Sequence, residues 1–264
     1  MKATVFLGAG RITAALIAGL RLANYANPIL VHDRHAEKLE ELGKLYRVTA
    51  EPCLSRAVAR AGLLIVAVRP NSIMGLLRQV GEVNRPLLAV SLAAGMPLSK
   101  LRKTLGPPVR WARAMPSPVC RTGRGLTGLA FSGLLPTSDR RAVTRLFATV
   151  GAVLEVPESQ FDIFTATYSS SHGYHDLATL AHVAEKIGLD RRIALAAAAH
   201  ALADGILSWR EGRVPLDELI QEAATPGGIA AAVITTMDKS GYARLVEKSL
   251  RAGVARARAN AKAQ

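Results

Sequence analysis

A glycine-rich turn near the start of the chain carries the clearest chemical signal in the sequence. Gly8 and Gly10 follow an apolar run, and a stretch with helical spacing begins directly after them. Glycine lets a phosphate approach the backbone closely, and the N-terminus of the following helix presents unpaired N–H groups and a positive dipole end. Thr13-Ala14 replaces the third glycine of the usual fingerprint, but the strand–turn–helix context supports it. We therefore expect this turn to bind the pyrophosphate of a dinucleotide, through Gly8, Gly10, Arg11 and Ile12.

Two charged residues after the second apolar run, Ile29–His32, are placed to contact the sugar of that dinucleotide. Asp33 stands where an acid normally binds the ribose 2′-hydroxyl of NAD. Arg34 comes next and would instead pair with the 2′-phosphate of NADP. The two residues favour different cofactors, so the sequence leaves NADH and NADPH both open.

A parallel sheet has to hold these residues at one edge. Short apolar runs alternate with amphipathic stretches over the first half of the chain, which is typical of a parallel sheet covered by helices. The predicted strands are Ala3–Leu7, Ile29–His32, Leu63–Val68, Leu87–Ser91, Val109–Ala112, Thr127–Phe131 and Ala152–Val156. We therefore predict the α/β class, with a Rossmann-type, doubly wound dinucleotide-binding domain over residues 1–156.

The pattern changes to helices after Pro157. The predicted helices are Phe161–Tyr168, Tyr174–Ile187, Arg191–Trp209, Leu216–Ala224, Gly228–Lys239 and one from Tyr242 onward. They are rich in Ala, so each offers little side-chain bulk for a core of its own. We expect residues 157–264 to form an all-helical domain that gains buried area by dimerising, as a homodimer or a larger assembly built from dimers.

The composition and charge of the chain indicate which kinds of partner to expect. Half of the residues are hydrophobic, as in a globular protein, and the formal net charge is +14. The basic residues are scattered and lack interleaved aromatic side chains, so we expect no nucleic-acid partner; the positive field would instead attract anionic cofactors and substrates. No signal peptide or membrane span is evident, which predicts a cytoplasmic protein without a membrane partner. Cys53 and Cys120 lack metal-ligand spacing, and we expect no metal.

Motifs along the whole chain resemble the pyrroline-5-carboxylate reductase family, whose members catalyse the last step of proline synthesis. These motifs are Val68-Arg69-Pro70, Ser91-Leu92-Ala93-Ala94-Gly95, Arg113-Ala114-Met115-Pro116, Glu158…Asp162…Ala166, Gly188-Leu189…Arg191…Ala194, Thr225-Pro226-Gly227-Gly228 and Gly241…Arg244. The resemblance implies an NAD(P)H-dependent reductase of a C=N bond in a small anionic imino acid. It adds to the cofactor contacts Val68, Arg69, Pro70, Ala93, Ala94 and Gly95.

The chain departs from the family where the family binds substrate. The family's S-G-S-G-P-A-Y segment becomes residues 168–174, and Ile229-Ala230 replaces two threonines whose hydroxyls are lost. We expect a substrate carboxylate to meet Ser171 and the backbone N–H groups of a helix start, at Gly227, Gly228 and Ile229. Proton delivery to the imine nitrogen needs a titratable group nearby, and the candidate catalytic residues are His172, Tyr174 and Ser170.

Three functions therefore stay open at the level of sequence. The first is reduction of 1-pyrroline-5-carboxylate to proline. The second is reduction of another imine or a carbonyl, which the lost hydroxyls and the gained His172 favour. The third is a non-catalytic paralogue that senses nucleotides or binds nucleic acid, for which the net charge is the only support.

Overall fold

Eight strands form one sheet in the computed structural model, which describes residues 2–262. They are β1 (Ala3–Leu7), β2 (Ile29–His32), β3 (Thr49–Ala50), β4 (Ala61–Val66), β5 (Leu87–Ser91), β6 (Val109–Pro116), β7 (Gly125–Phe131) and β8 (Gly151–Glu155). Their order is β3-β2-β1-β4-β5-β6-β7-β8. All neighbours are parallel except β6 and β7, which pair antiparallel.

Helices cover both faces of the sheet because successive strand residues point to opposite sides. The connecting helices are α1 (Arg11–Leu22), α2 (Ala36–Tyr46), α3 (Leu54–Arg60), α4 (Pro70–Val80), α5 (Leu98–Thr104) and α6 (Thr137–Ala148). Within β1, Val5 and Leu7 join one apolar core with residues of α3, α4 and α5. Phe6, between them, joins a second core with residues of α1, α2 and α6. The predicted α/β class with a Rossmann-type sheet is confirmed.

The rest of the chain is helical. Its helices are α7 (Phe161–Thr167), α8 (Ser171–Lys186), α9 (Arg191–Glu211), α10 (Leu216–Ala223), α11 (Ile229–Lys239) and α12 (Tyr242–Lys262). The described residues divide into one unit of 2–166 with 252–262 and another of 167–251. None of the helices within residues 2–262 is both long and apolar enough to span a bilayer. The domain boundary placed at 156–157 by the sequence stays a prediction.

The end of α12 belongs to the sheet-containing unit. Its Ala257 is buried, and the Ala257 carbonyl lies so close to Gly95 that a side chain there would collide with it. Gly95 also has a φ of +72°, which disfavours any other residue. Lys100 Nζ donates to the Ala261 carbonyl at 2.5 Å, near the C-terminal end of the helix. The last helical turns are therefore attached to the segment between β5 and α5.

Several predicted boundaries were wrong. The strand predicted over Leu63–Val68 runs from Ala61 to Val66, because Pro70 occupies the first turn of α4 and the preceding Arg69 is extended. The strand predicted to end at Ala112 continues to Pro116, where it pairs with β7. The short strand β3 was missed, since two residues carry no periodicity. Helix α8 begins at Ser171 rather than at Tyr174.

Candidate active site

The turn between β1 and α1 is held in a shape that only glycine allows at its first position. Gly8 has a φ of +109°, and an added Cβ there would lie 2.7 Å from the Ala67 carbonyl oxygen. Its N–H donates to the His32 carbonyl at 2.8 Å, and Thr13 Oγ1 donates to the Gly8 carbonyl at 2.6 Å. The turn is therefore fixed against β2, β4 and the first turn of α1.

The second glycine of the turn faces open space. Gly10 is the N-cap of α1, and an added Cβ there would meet no protein atom within 4 Å. No side chain caps this helix and no acid lies in its first turn. The N–H groups of that turn and the positive end of the helix dipole are thus available to an anion such as a pyrophosphate.

A cleft of about 1230 Å³ opens beside this turn, at the carboxyl ends of β1, β2 and β4. The switch in strand order between β1 and β4 makes this edge the usual binding place in open α/β sheets. The lining includes eight residues that the sequence analysis assigned to the cofactor: Gly8, Gly10, Arg11, Ile12, Asp33, Arg34, Val68 and Arg69.

Positive charge predominates in the cleft. Lys38 and Arg121 line it together with the three predicted arginines, whereas the acids of the lining are Asp33 and Glu41. Such a site lowers the free energy of a bound polyanion, because several cations converge in a partly enclosed space. Sequence reasoning missed Lys38 and Arg121. Lys38 lies on the first turn of α2, four residues after Arg34; nothing local singles out Arg121.

Asp33 makes its contacts with the protein. Its Oδ2 accepts from the Ala9 N–H at 2.8 Å, and its Oδ1 accepts from the His35 N–H at 3.0 Å. His35 Nδ1 lies 2.8 Å from the same Oδ1. Burial raises the pKa of the Asp33 carboxyl, but the hydrogen bonds from Ala9 and His35 outweigh burial and leave the pKa below its ordinary value. The carboxylate is therefore ionised at neutral pH.

Four of the predicted cofactor residues lie outside the lining of this cleft. Pro70 begins α4. Ala93, Ala94 and Gly95 form the loop after β5, two strands from β1, and the Ala93 N–H donates to Ser91 Oγ at 3.2 Å. This loop ends at the contact with Ala257 described above.

The predicted catalytic and substrate residues form two groups in the unit of residues 167–251. Ser171, His172 and Tyr174 lie in the first turn of α8, and Ser170 is its N-cap; Ser169 Oγ and Ser171 Oγ lie 2.6 Å apart. Gly227, Gly228 and Ile229 form the start of α11, with Gly228 as its N-cap and Gly227 at a φ of +77°. Tyr174 is 68% exposed and Ile229 is 88% exposed. Both groups thus present N-terminal helix turns, and their roles stay predictions.

A buried arginine on β6 contacts acidic residues at and just before the start of α7. The sequence did not predict these partners. Arg113 on β6 is 2% exposed; its Nη2 lies 2.9 Å from Asp162 Oδ1 and its Nη1 3.7 Å from Glu158 Oε1. The guanidinium stacks on the Phe161 ring at 4.5 Å. Glu158 Oε1 also accepts from the Leu98 N–H, the first residue of α5. We call these residues the Arg113 cluster.

Two family models match the chain, one in the part that contains the sheet and one in the helical part. Residues 4–95 match the family described as NADP oxidoreductase, coenzyme F420-dependent. Residues 158–260 match the family described as pyrroline-5-carboxylate reductase dimerisation. The second match contains α8 and α11 and all the predicted substrate residues.

The chain is similar to the pyrroline-5-carboxylate reductase family over nearly its whole length.

Relatives of this family match nearly the whole chain. The pyrroline-5-carboxylate reductase of Pseudomonas aeruginosa is 28% identical over 252 residues, which cover 94% of this chain and 92% of the relative. That of Mycobacterium leprae is 29% identical over 280 residues, covering 96% of this chain and 94% of the relative. The resemblance drawn from the motifs is confirmed.

Solved structures of the family have the same fold. The reductase of Coxiella burnetii has a TM-score of 0.87 at 23% identity and covers 98% of both chains. That of Plasmodium falciparum, with NADP bound, has a TM-score of 0.85 at 20% identity and again covers 98% of both chains. At these identities the likeness establishes the fold alone. The departures from the family at residues 168–174 and 229–230 are therefore sequence differences within a retained scaffold.

Proposed function

We propose that this chain reduces 1-pyrroline-5-carboxylate to proline with NADPH or NADH. The observation that carries the proposal is the cation-lined cleft at the glycine turn, in a chain that matches pyrroline-5-carboxylate reductases along nearly its whole length. When bound, the reduced nicotinamide supplies a hydride to the C=N carbon while the imine nitrogen carries the proton. A cytoplasmic location is part of the proposal and rests on the sequence.

The protein's part in this reaction is to bind, orient and exclude water. The N–H groups at the start of α1 would hold the pyrophosphate, and Arg34 and Lys38, which line the same cleft, would supply positive charge toward the ribose phosphate of NADPH. The start of α11, at Gly227 and Gly228, offers N–H groups for the substrate carboxylate. Holding the two reacting carbons in near-attack contact would lower the barrier by making the hydride transfer effectively unimolecular.

Assay of the purified chain against a panel of cyclic imino acids and 2-keto acids tests this function. We expect oxidation of NADPH or NADH, followed by the loss of nicotinamide absorbance, to be fastest with 1-pyrroline-5-carboxylate. If the chain turned over another imine or a keto acid but not 1-pyrroline-5-carboxylate, that compound would be its substrate instead. No turnover with any of them, despite cofactor binding, would favour a non-catalytic paralogue.

A related imine or carbonyl reductase is the second candidate. Ile229 and Ala230 stand where the resemblance leads us to expect two hydroxyl donors, and Ile229 offers an exposed apolar side chain instead. Loss of two such donors weakens the binding of a substrate carboxylate by about 1–3 kcal/mol unless other groups replace them, which would favour a different substrate.

For an anionic imino acid, we propose that His172 at the start of α8 is the replacement, since a protonated imidazole forms a charge-assisted hydrogen bond to a carboxylate.

His172→Ala is expected to lower kcat/KM for the imino acid about tenfold or more, which corresponds to about 1.4 kcal/mol of transition-state stabilisation. His175→Ala is the matched control, because His175 lies on the same helix and its Nδ1 contacts Thr179 Oγ1 at 3.2 Å. Steady-state kinetics of the two variants make the comparison. Equal kcat/KM values for both variants would show that His172 has no part in substrate handling.

We also propose that the chain functions as a homodimer through residues 167–251. Over this described range, the only buried hydrophobic side chains are Ala194 and Ala198. Large apolar side chains remain half-exposed or more: Ile187, Ile193, Leu195, Ile206, Leu216, Ile229, Val233 and Leu245. Apolar surface of this extent is typical of an interface, and a second copy supplies the missing partner surface by symmetry.

Sedimentation at micromolar concentration is expected to give the mass of two chains or a multiple of it. The unfolding midpoint is expected to rise with protein concentration, because association stabilises the folded state by mass action. A single chain that sediments alone and still turns over substrate would contradict the homodimer.

A further inference from the structure

We infer that Asp33 is a positioning residue for the glycine-rich turn and does not bind the ribose of the cofactor. This inference rests on the proposed function, since it concerns how the same cleft binds a nicotinamide dinucleotide. It starts from the contacts of the carboxylate: Oδ2 with the Ala9 N–H at 2.8 Å, and Oδ1 with the His35 N–H at 3.0 Å and His35 Nδ1 at 2.8 Å.

These contacts occupy about three of the four acceptor positions of the carboxylate, two on Oδ1 and one on Oδ2. An ionised carboxylate only accepts hydrogen bonds, so Nδ1 of His35 carries the proton that faces Oδ1. Both oxygens therefore have protein donors, and the side chain of Asp33 is only 13% exposed. A ribose hydroxyl that displaced one of these donors would leave an N–H unpaired, at a cost of about 1–3 kcal/mol.

The position of Ala9 explains what the contact achieves. Ala9 lies between Gly8, which is bonded to His32 and Thr13, and Gly10, which faces the open cleft. The hydrogen bond from the Ala9 N–H to Asp33 Oδ2 holds the backbone directly before the N–H groups at the start of α1. Holding them in place before the ligand arrives raises affinity, because less order has to be imposed on binding.

Recognition of the adenosine ribose then falls to other residues of the cleft. Arg34 follows Asp33 directly, and Lys38 lies on the first turns of α2; both line the cleft. Neighbouring residues thus have different roles. Asp33 shapes the turn that binds NADH and NADPH alike, whereas Arg34 and Lys38 distinguish the two cofactors by the charge on the ribose.

Calorimetric titration of Asp33→Ala with NADPH and with NADH tests the inference. Relative to Asp33→Asn, which removes the same charge but keeps an acceptor for the Ala9 N–H, we expect both dissociation constants of Asp33→Ala to be higher by the same factor, about tenfold. Asp33→Asn is expected to lose less, since its amide oxygen still accepts from Ala9. Arg34→Ala serves as the matched variant and is expected to lower the affinity for NADPH while leaving the affinity for NADH unchanged.

Hydrogen exchange of the Ala9 amide in the protein without cofactor gives a readout independent of binding. We expect faster exchange in Asp33→Ala than in the wild type, with the exchange of β4 amides unchanged. A selective loss of NADH affinity in Asp33→Ala would overturn the inference, because it would show a ribose contact. Unchanged affinity for both cofactors would overturn it as well. Wild-type protein that bound neither cofactor would instead overturn the proposed function on which the inference rests.

Discussion

A Gly10→Val variant is expected to lose affinity for NADPH and NADH by about a hundredfold, while its thermal unfolding midpoint stays at the wild-type value. A hundredfold corresponds to about 2.7 kcal/mol. The reason is that the Cβ of a valine at Gly10 meets no protein atom within 4 Å, so the valine is expected to leave the fold unstrained. It enters the space in front of the α1 N-terminus, where the pyrophosphate would lie. Fluorescence titration with each cofactor measures the loss.

Two other glycines provide controls for this result. Gly133 also faces open space but lies outside the cleft, so Gly133→Val is expected to bind both cofactors normally. Gly8→Ala is expected to lower the unfolding midpoint, because of its φ of +109° and the Ala67 carbonyl oxygen 2.7 Å from the added Cβ. Wild-type affinity of Gly10→Val for both cofactors would show that the cleft does not bind them at this turn.

Replacement of Arg113 by Met is expected to lower the free energy of unfolding by about 3 kcal/mol. The variant keeps an apolar side chain of similar length but removes the cation that faces Asp162 and Glu158. Those carboxylates are 27% and 33% exposed, so water relieves part of their loss and the effect falls at the lower end of the range for buried pairs. Urea unfolding measures the change as a shift in midpoint at constant slope.

Arg251→Met is the matched control for that experiment. Arg251 pairs with Glu247 at 2.6 Å, but the two side chains are 78% and 59% exposed. Its loss is expected to cost less than about 1 kcal/mol, since exposed pairs contribute little. If Arg113→Met unfolds at the same urea concentration as Arg251→Met, the Arg113 cluster does not hold β6 to the start of α7.

The sequence predicted what local chemistry determines. The turn at Gly8 and Gly10 is recognisable because its conformation, its free helix terminus and its ligand all follow from a few adjacent residues. The start of α11 at Gly228 is recognisable for the same reason. Strand and helix types over most of the chain follow from periodicity, which depends on nearest neighbours.

Contacts between distant residues could not be read in the same way. Arg113 and Asp162 lie far apart along the chain, and neither residue indicates by its type that it pairs with the other. The bond from Ala9 to Asp33 is hidden likewise, because an acid after the second strand suits either a ribose or a backbone N–H. The extension of β6 to Pro116 depends on its pairing with β7, which no periodicity within Val109–Ala112 could reveal.

The attachment of the last helical turns to the segment after β5 has a consequence for how the protein is made. Residues 252–262 complete the sheet-containing unit, yet they are synthesised after the whole of residues 167–251. Ribosomes add about 5–20 residues per second, so the site that Ala257 will fill beside Gly95 stays uncovered for several seconds while the intervening helices are made. The sheet of a nascent chain can therefore assemble its strands early, but it closes around this loop only after the residues around Ala257 have been made.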